Sequence, residues 1–290
     1  MPDDARDHPE VVPLAAPLGA EIRGVNLARR LLPATIETLQ RAWRDRLVLV
    51  IRDQRLSDPA LLDFSRTWGE LDPPGPNPYG QPFLPEHPEI NVISNVVEGG
   101  RPIGNLGAGE AVWHADMTYV ERPPKAAILH ALEIPPEGGN TYFASMFAAY
   151  DALSAELKQQ IAGKIAIHDA SRNSAGLLRK GYADVADVRE TKGARHPLVR
   201  TDAATGRKAL FLGRRRNAYI LGMDVADSEA LLDALWAHAG SMRFAMTHAW
   251  RVGDVLIWNN LAVLHRRDPF DPASRRVMHR TQIKGEEAIE

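Results

Sequence analysis

The chain has 290 residues, with 35 Lys and Arg against 37 Asp and Glu, a net charge of −2 and no cysteine. The near balance of charge gives no electrostatic footprint for nucleic acid or an anionic membrane surface. The missing thiols exclude disulfides, zinc–thiolate sites, iron–sulfur clusters and cysteine nucleophiles. No apolar run nears the roughly 20 residues a membrane-spanning helix needs. The start Met1-Pro2-Asp3-Asp4-Ala5-Arg6-Asp7 is acidic and polar, unlike a secretory signal, so a cytoplasmic protein is expected.

Residues 1–10 are expected to be disordered. Val11 to Leu14 and Ala20 to Val25 read as short strands. Pro33 to Leu47 predicts a helix, with Ile36, Leu39, Trp43 and Leu47 on one apolar face. Leu47 to Ile51 is a continuous apolar run and predicts a buried strand. Ser57-Asp58-Pro59 marks a helix start, and that helix runs through Leu62, Phe64 and Trp68 to end near Gly69. The proline-rich stretch 72–88 is a loop. Strands follow at 90–94, 112–120 and 126–133, then a turn at Pro135 to Gly139. Ser145 and Ser154 each cap a helix. Strands are expected at 164–168, 197–201, 208–212, 242–250, 254–258 and 275–284, with a helix over Asp227 to Ala239. Many short strands with a few outlying helices predict a mainly β domain with peripheral helices, a β-sandwich or jelly roll, covering 1–290. Segment 169–195 is polar with few apolar anchors, and a stretch of that kind inside a compact domain is a lid or a floppy loop.

Three residues carry the chemistry. His114 and Asp116 stand two apart in the predicted 112–120 strand, where such residues share a face. A His-X-Asp pair alone is a weak signal, because a hydrogen-bonded histidine beside a solvated aspartate is the blander arrangement. His265, far along the chain, supplies a second imidazole. Two imidazoles and one carboxylate hold a metal on one face and leave the other open, which suits non-haem Fe(II) that activates oxygen. A catalytic zinc with an open position would accept the same three ligands. Arg276 and Arg280 follow, four apart and on one strand face, their Cα atoms roughly 13 Å apart at about 3.3 Å per residue. That spacing suits two separate anions, each met by two parallel guanidinium bonds. Arg275 is read as solvated. His279 falls on the opposite face and is read as structural, like His130, His196, His238 and His248.

At these motifs the chain resembles the taurine dioxygenase / 2,4-dichlorophenoxyacetate dioxygenase (TauD/TfdA) family. The likeness begins at Pro17-Leu18-Gly19-Ala20-Glu21-Ile22-Arg23-Gly24-Val25-Asn26-Leu27. It continues through Ile51-Arg52-Asp53-Gln54, Trp68-Gly69-Glu70-Leu71, Trp113-His114-Ala115-Asp116 and Gly138-Gly139-Asn140-Thr141. It ends at Arg276-Val277-Met278-His279-Arg280. The resemblance implies a double-stranded β-helix (a jelly roll), Fe(II), O2 and 2-oxoglutarate as co-substrate. It implies His114, Asp116 and His265 as iron ligands, Thr141 and Arg276 as the holders of the distal carboxylate of 2-oxoglutarate, and Arg280 as the anchor of an anionic substrate. Dimers or tetramers are common in the family.

Some family positions differ. Trp258-Asn259-Asn260 stands where Trp-Asp-Asn is frequent, and Ala170 matches an aromatic residue of the taurine enzyme. A histidine and a tyrosine of that enzyme are replaced within 72–77. Glu110 matches its asparagine four residues before the first iron histidine. With Ala170 and Glu110 in the substrate pocket, the expected substrate is a small organic anion on an aromatic or aryloxy body, hydroxylated with succinate and CO2 as co-products. The alternative is taurine or an alkylsulfate or alkylsulfonate. A zinc-dependent hydrolase or a metal-bound sensor with the same ligands leaves Thr141, Arg276 and the whole-chain likeness unexplained, and Asp116 argues against a halogenating relative.

Overall fold

A computed structural model describes residues 8–75, 81–109, 111–286 and 288–289. Its continuous apolar runs are strands buried on both faces. Val48–Ile51 and Val255–Asn259 are buried throughout, as are the first six residues of Ala126–Glu133. Strand alternation divides their side chains between two cores. Val48, Val50, Ala127, Leu129, Leu256 and Trp258 enter one core. Leu49, Ile51, Ala126, Ile128, Val255 and Ile257 enter the other.

These strands are central in a nine-stranded sheet. Its main path runs Glu10–Pro13, Ala20–Arg23, Val48–Ile51, Val255–Asn259, Ala126–Glu133, Val277–Ile283, Asn91–Ser94 and Asn105–Leu106, with Leu71–Asp72 paired to Val277–Ile283 off that path. Helices Pro33–Arg46 and Asp58–Arg66 cover the second core with Leu39, Ala42, Leu61, Leu62 and Phe64. The first helix has Pro33 in its opening turn and stops where Leu47 turns left-handed at φ 67°. The Ser57 hydroxyl caps the second by accepting from the Ala60 N–H.

A second, four-stranded sheet runs Ala245–His248, Thr141–Ser145, Val263–Arg267, Ala111–His114, antiparallel throughout. Its Phe143, Ala144, Val263 and Leu264 join the first core beside Trp258 and Met278. The helices Met146–Asp151 and Val225–Ala239 add Phe147, Leu231, Leu232 and Leu235 to it. The architecture is mainly β with peripheral helices.

Several expectations need correction. Residues 1–7 lie outside the described residues, but 8–10 are ordered: the His8 N–H donates to the Gly24 carbonyl (3.1 Å) and Glu10 pairs with Arg23. The 112–120 strand ends at His114. There the Ala115 N–H turns to the Gly213 carbonyl (2.9 Å), and Met117 is left-handed at φ 51°. Residues 197–201 belong to two strands, Arg195–Pro197 and Val199–Thr201, and 242–244 form a 3-10 turn before Ala245–His248. Arg275 is exposed, as expected, and its Nε also pairs with Glu133 at 2.6 Å. Thr141–Ser145 and Val263–Arg267 are strands the pattern did not predict, and both carry site residues.

Candidate active site

Register places the polar side chains. In the second sheet Thr141 pairs with Arg267, Phe143 with His265, and His265 with His114. Residues two apart share a strand face, so His265 and Arg267 look the same way as Thr141 and Phe143. In the first sheet Arg280 pairs with Leu129 and Asn91, next to Met278 on the face of the first core. The two faces enclose a cavity lined by His114, Thr141, His265, Arg267, Arg276 and Arg280 on its polar side, and by Ile93, Leu129, Phe143 and Trp258 on its apolar side.

Asp116 does not reach the site by strand alternation. Asn260, fully buried, holds its turn: the Asp116 N–H donates to Asn260 Oδ1 (2.7 Å), and Asn260 Nδ2 donates to the carbonyls of Asp116 (2.9 Å) and Pro124 (2.8 Å). One ligand-type atom from each of His114, Asp116 and His265 then lies within 4.8 Å of the others. His114 Nε2 is 3.7 Å and His265 Nε2 3.9 Å from the Asp116 carboxylate. His114 Nδ1 lies 2.7 Å from the Val112 carbonyl; a proton held there leaves Nε2 as the free donor.

Electrostatics fit a cation. Burial pushes His265 down to about 4, against the nearby Asp116. Burial, then His265, pushes His114 well below its ordinary value. Both rings are therefore neutral near pH 7, and their contacts with Asp116 are not ion pairs. Burial works to raise Asp116, but Arg280 first, then the two histidines and Arg214, bring it down to about 2. Arg280 Nη1 donates to both Asp116 oxygens, at 2.9 and 3.1 Å. Two neutral imidazoles and one carboxylate match the donor set for a hard-to-intermediate divalent ion.

The far end of the cavity fits an anion. Arg276 is 2 % exposed, and its Nε has no hydrogen-bond partner among the described residues. Burial, then the neighbouring Arg267, pushes it down to about 9. Arg267 is also buried, and its Nη2 donates to the carbonyls of Leu106, Gly107 and Gly109. Thr141 Oγ1 accepts from Trp250 Nε1 (2.9 Å), which leaves its own proton for donation.

The sequence matches the family described as taurine catabolism dioxygenase TauD, TfdA family, over residues 10–282. The chain belongs to the TauD/TfdA family. It is similar to the (S)-phenoxypropionate/alpha-ketoglutarate-dioxygenase of Sphingobium herbicidovorans, 34% identical over 97% of this chain and 96% of that one. It is 32% identical to pentalenolactone F synthase of Streptomyces arenae, covering 93% of each chain. Its fold resembles that of AAD-2 solved with Mn(II) and N-oxalylglycine, with a TM-score of 0.79 and 28% identity over 98% of this chain and 100% of that one. As a TauD/TfdA enzyme it is a 2-oxoglutarate-dependent dioxygenase, an oxidoreductase that uses Fe(II) and O2.

Around this TauD/TfdA centre, Ala170 sits elsewhere than expected. Ala170 is buried but does not line the cavities at the triad; its N–H donates to the Lys192 carbonyl and its carbonyl accepts from Arg179 Nη1 (3.1 Å). Its link to the neighbouring cavity is this bond to Arg179, which lines it. Glu110 and residues 76–77 lie outside the described residues. Segment 169–195 is anchored by polar groups: the Asp169 carboxylate accepts from the Ser171 N–H and hydroxyl and from Asn217 Nδ2, and Thr191 Oγ1 donates to the Asn217 carbonyl. Its Asn173, Ser174, Leu178 and Arg179 face a cavity on the Asp116 side, shared with Tyr119, Arg214 and Arg280. Asn260, Arg267 and Arg214 were missed. Arg267 was findable, two residues after His265 on one strand. Arg214 hides in the basic run 214–216, which reads as a solvated face.

Buried neutral histidines set an acid limit. Burial pushes His168 down to about 3 and His265 to about 4, and lowers His130, His196 and His248 as well. An unfolded histidine titrates near about 6.5. The unfolded chain thus binds more protons between these values, so this stability is complete above the unfolded value and is lost as pH falls toward 4. The metal-free protein should melt at steadily lower temperature from pH 7.5 to pH 4.5. A flat profile by calorimetry would show that these histidines titrate normally.

Proposed function

We propose that this enzyme hydroxylates a small organic anion, holding Fe(II) with His114, Asp116 and His265. In this reading Arg276 and Thr141 bind the distal carboxylate of 2-oxoglutarate, and Arg280 anchors the acidic group of the substrate. The bound ion supplies the oxidising power when O2 and 2-oxoglutarate are present, with succinate and CO2 as co-products. The chain's residues do the rest. Arg276 and Arg267 fix the depth and direction of the co-substrate. Ile93, Leu129, Phe143 and Trp258 line the apolar side of its cavity and exclude water. Arg280 ties Asp116 in place while its Nε, unpartnered among the described residues, remains for a substrate anion. The observation that carries this is a buried Arg276, its Nε unpartnered among the described residues, in the same cavity as the neutral histidine pair.

The two main sheets are read as the double-stranded β-helix of the family, supported by the AAD-2 likeness and by ligands drawn from facing sheets. Aryloxy acids lead as the substrate class because a relative over nearly the whole chain is a phenoxypropionate dioxygenase. The test is succinate release with phenoxyacetates, phenoxypropionates, arylacetates, taurine and long-chain alkylsulfates. An aryl or aryloxy acid should turn over fastest. Taurine or an alkylsulfate winning would replace the substrate class, and a neutral compound winning would remove the role given to Arg280.

Residues 169–195 are assigned as the cover of the substrate cavity, since four of them face it. Limited proteolysis within this segment should slow when 2-oxoglutarate and substrate bind. Equal cleavage with and without them would leave a surface loop.

A further inference from the structure

We infer that the pocket takes a substrate with two acidic groups, one at Arg280 and the second at Arg214 with Arg179. This rests on the function proposed above and narrows its substrate class. Five arginines face the two cavities at the triad, and among the described lining residues Asp116 is the one carboxylate. Three of the five have an anion assigned: Arg276 and Arg267 share the co-substrate, and Arg280 has Asp116 and the first substrate anion. Arg214 and Arg179 have none. Neither forms an ion pair with a carboxylate among the described residues; Arg214 Nη1 donates to the Arg172 carbonyl (2.6 Å) and Arg179 Nη1 to the Ala170 carbonyl (3.1 Å).

Arg214 is 7 % exposed, and its Nε has no hydrogen-bond partner among the described residues. A buried charge without a counter-charge is costly, and a surface arginine would have kept its water. Burial, then Arg179, pushes Arg214 down to about 10, with Asp116, Tyr119 and Asp169 opposing. The backbone beside it is nonetheless closely packed. Arg214 bridges to the His114 backbone, and the preceding Gly213 has φ +68°. A Cβ at Gly213 would lie 2.2 Å from His168 Nδ1 and 2.6 Å from Thr118 Oγ1, so glycine is required to bring the backbone this close. Arg179 is fixed by stacking on Tyr119, 3.9 Å from the ring centre. Two positioned guanidiniums lining the same cavity as Arg280 offer a second site for a carboxylate or sulfonate.

The test is calorimetric binding to the full chain loaded with Mn(II) and N-oxalylglycine, which stops turnover. The probes are phenoxyacetate against 4-carboxyphenoxyacetate and phenylacetate against 1,4-phenylenediacetate. At least one diacid should bind tenfold or more tighter than its monoacid. R214Q and, independently, R179Q should remove that advantage while N-oxalylglycine still binds as in the wild type. R179Q decides the matter if R214Q does not fold. No diacid outbinding its monoacid, or an advantage that survives both substitutions, would overturn the second subsite and leave the proposed function standing. A wild-type protein that fails to bind N-oxalylglycine would overturn the function and this inference together.

Discussion

Replacing His265 by alanine should abolish turnover and leave the fold intact. His265 is central in the second sheet, paired on one side with Phe143 and on the other with His114. Its ring packs against Trp258 at 5.1 Å and stacks on Phe143 at 6.0 Å, so its position is set by packing. Even the loss of an outer partner of a metal ligand costs about 10–100-fold in affinity or activity. Loss of the ligand itself should exceed that, leaving two donors and no defined open face. Its Nδ1 has no hydrogen-bond partner among the described residues, so removing the ring orphans no other group there. Circular dichroism should therefore match the wild type while Fe(II) binding and succinate release disappear. Normal activity in His265→Ala would remove it from the metal site.

Arg276→Leu should give opposite results in two assays. The 2-oxoglutarate requirement should rise roughly 30-fold or more, since truncating one partner of a buried charge pair costs about 2–5 kcal/mol. The ligand-free protein should be no less stable than the wild type. Arg276 there is a buried guanidinium beside Arg267, with its Nε unpartnered among the described residues, and an apolar side chain removes that uncompensated charge. A 2-oxoglutarate concentration that just saturates the wild type should raise its melting temperature and leave that of the variant nearly unchanged, because a ligand stabilises the folded state only in so far as it occupies it. A variant that loses stability and keeps its 2-oxoglutarate requirement would make Arg276 a structural residue.

The sequence is legible where a local rule is obeyed. Val48–Ile51 and Val255–Asn259 are apolar throughout because both faces are buried, and Ser57, Ser145 and Ser154 cap the helices that follow them. It is not legible where the site breaks the rule. Val263–Arg267 turns His265 and Arg267 inward, so its hydrophobic alternation is spoiled by the residues that matter most. Thr141–Ser145 was hidden between a Gly-Gly turn and a helix cap. His114 and Asp116 were correctly read as neighbours, but for the wrong reason: Asn260, 144 positions after Asp116, holds the turn that brings them together. Contacts of that kind, and the closeness of Arg214 to His114, arise only when distant segments pack.

The most direct measurement is an anaerobic titration of the metal-free protein with Fe(II) and 2-oxoglutarate, followed by visible absorption. One Fe(II) per chain should bind, and adding 2-oxoglutarate should produce a weak metal-to-ligand charge-transfer band that His265→Ala lacks. Iron binding without such a band, or a band of equal strength in His265→Ala, would contradict the assignment of His114, Asp116 and His265 as the iron site.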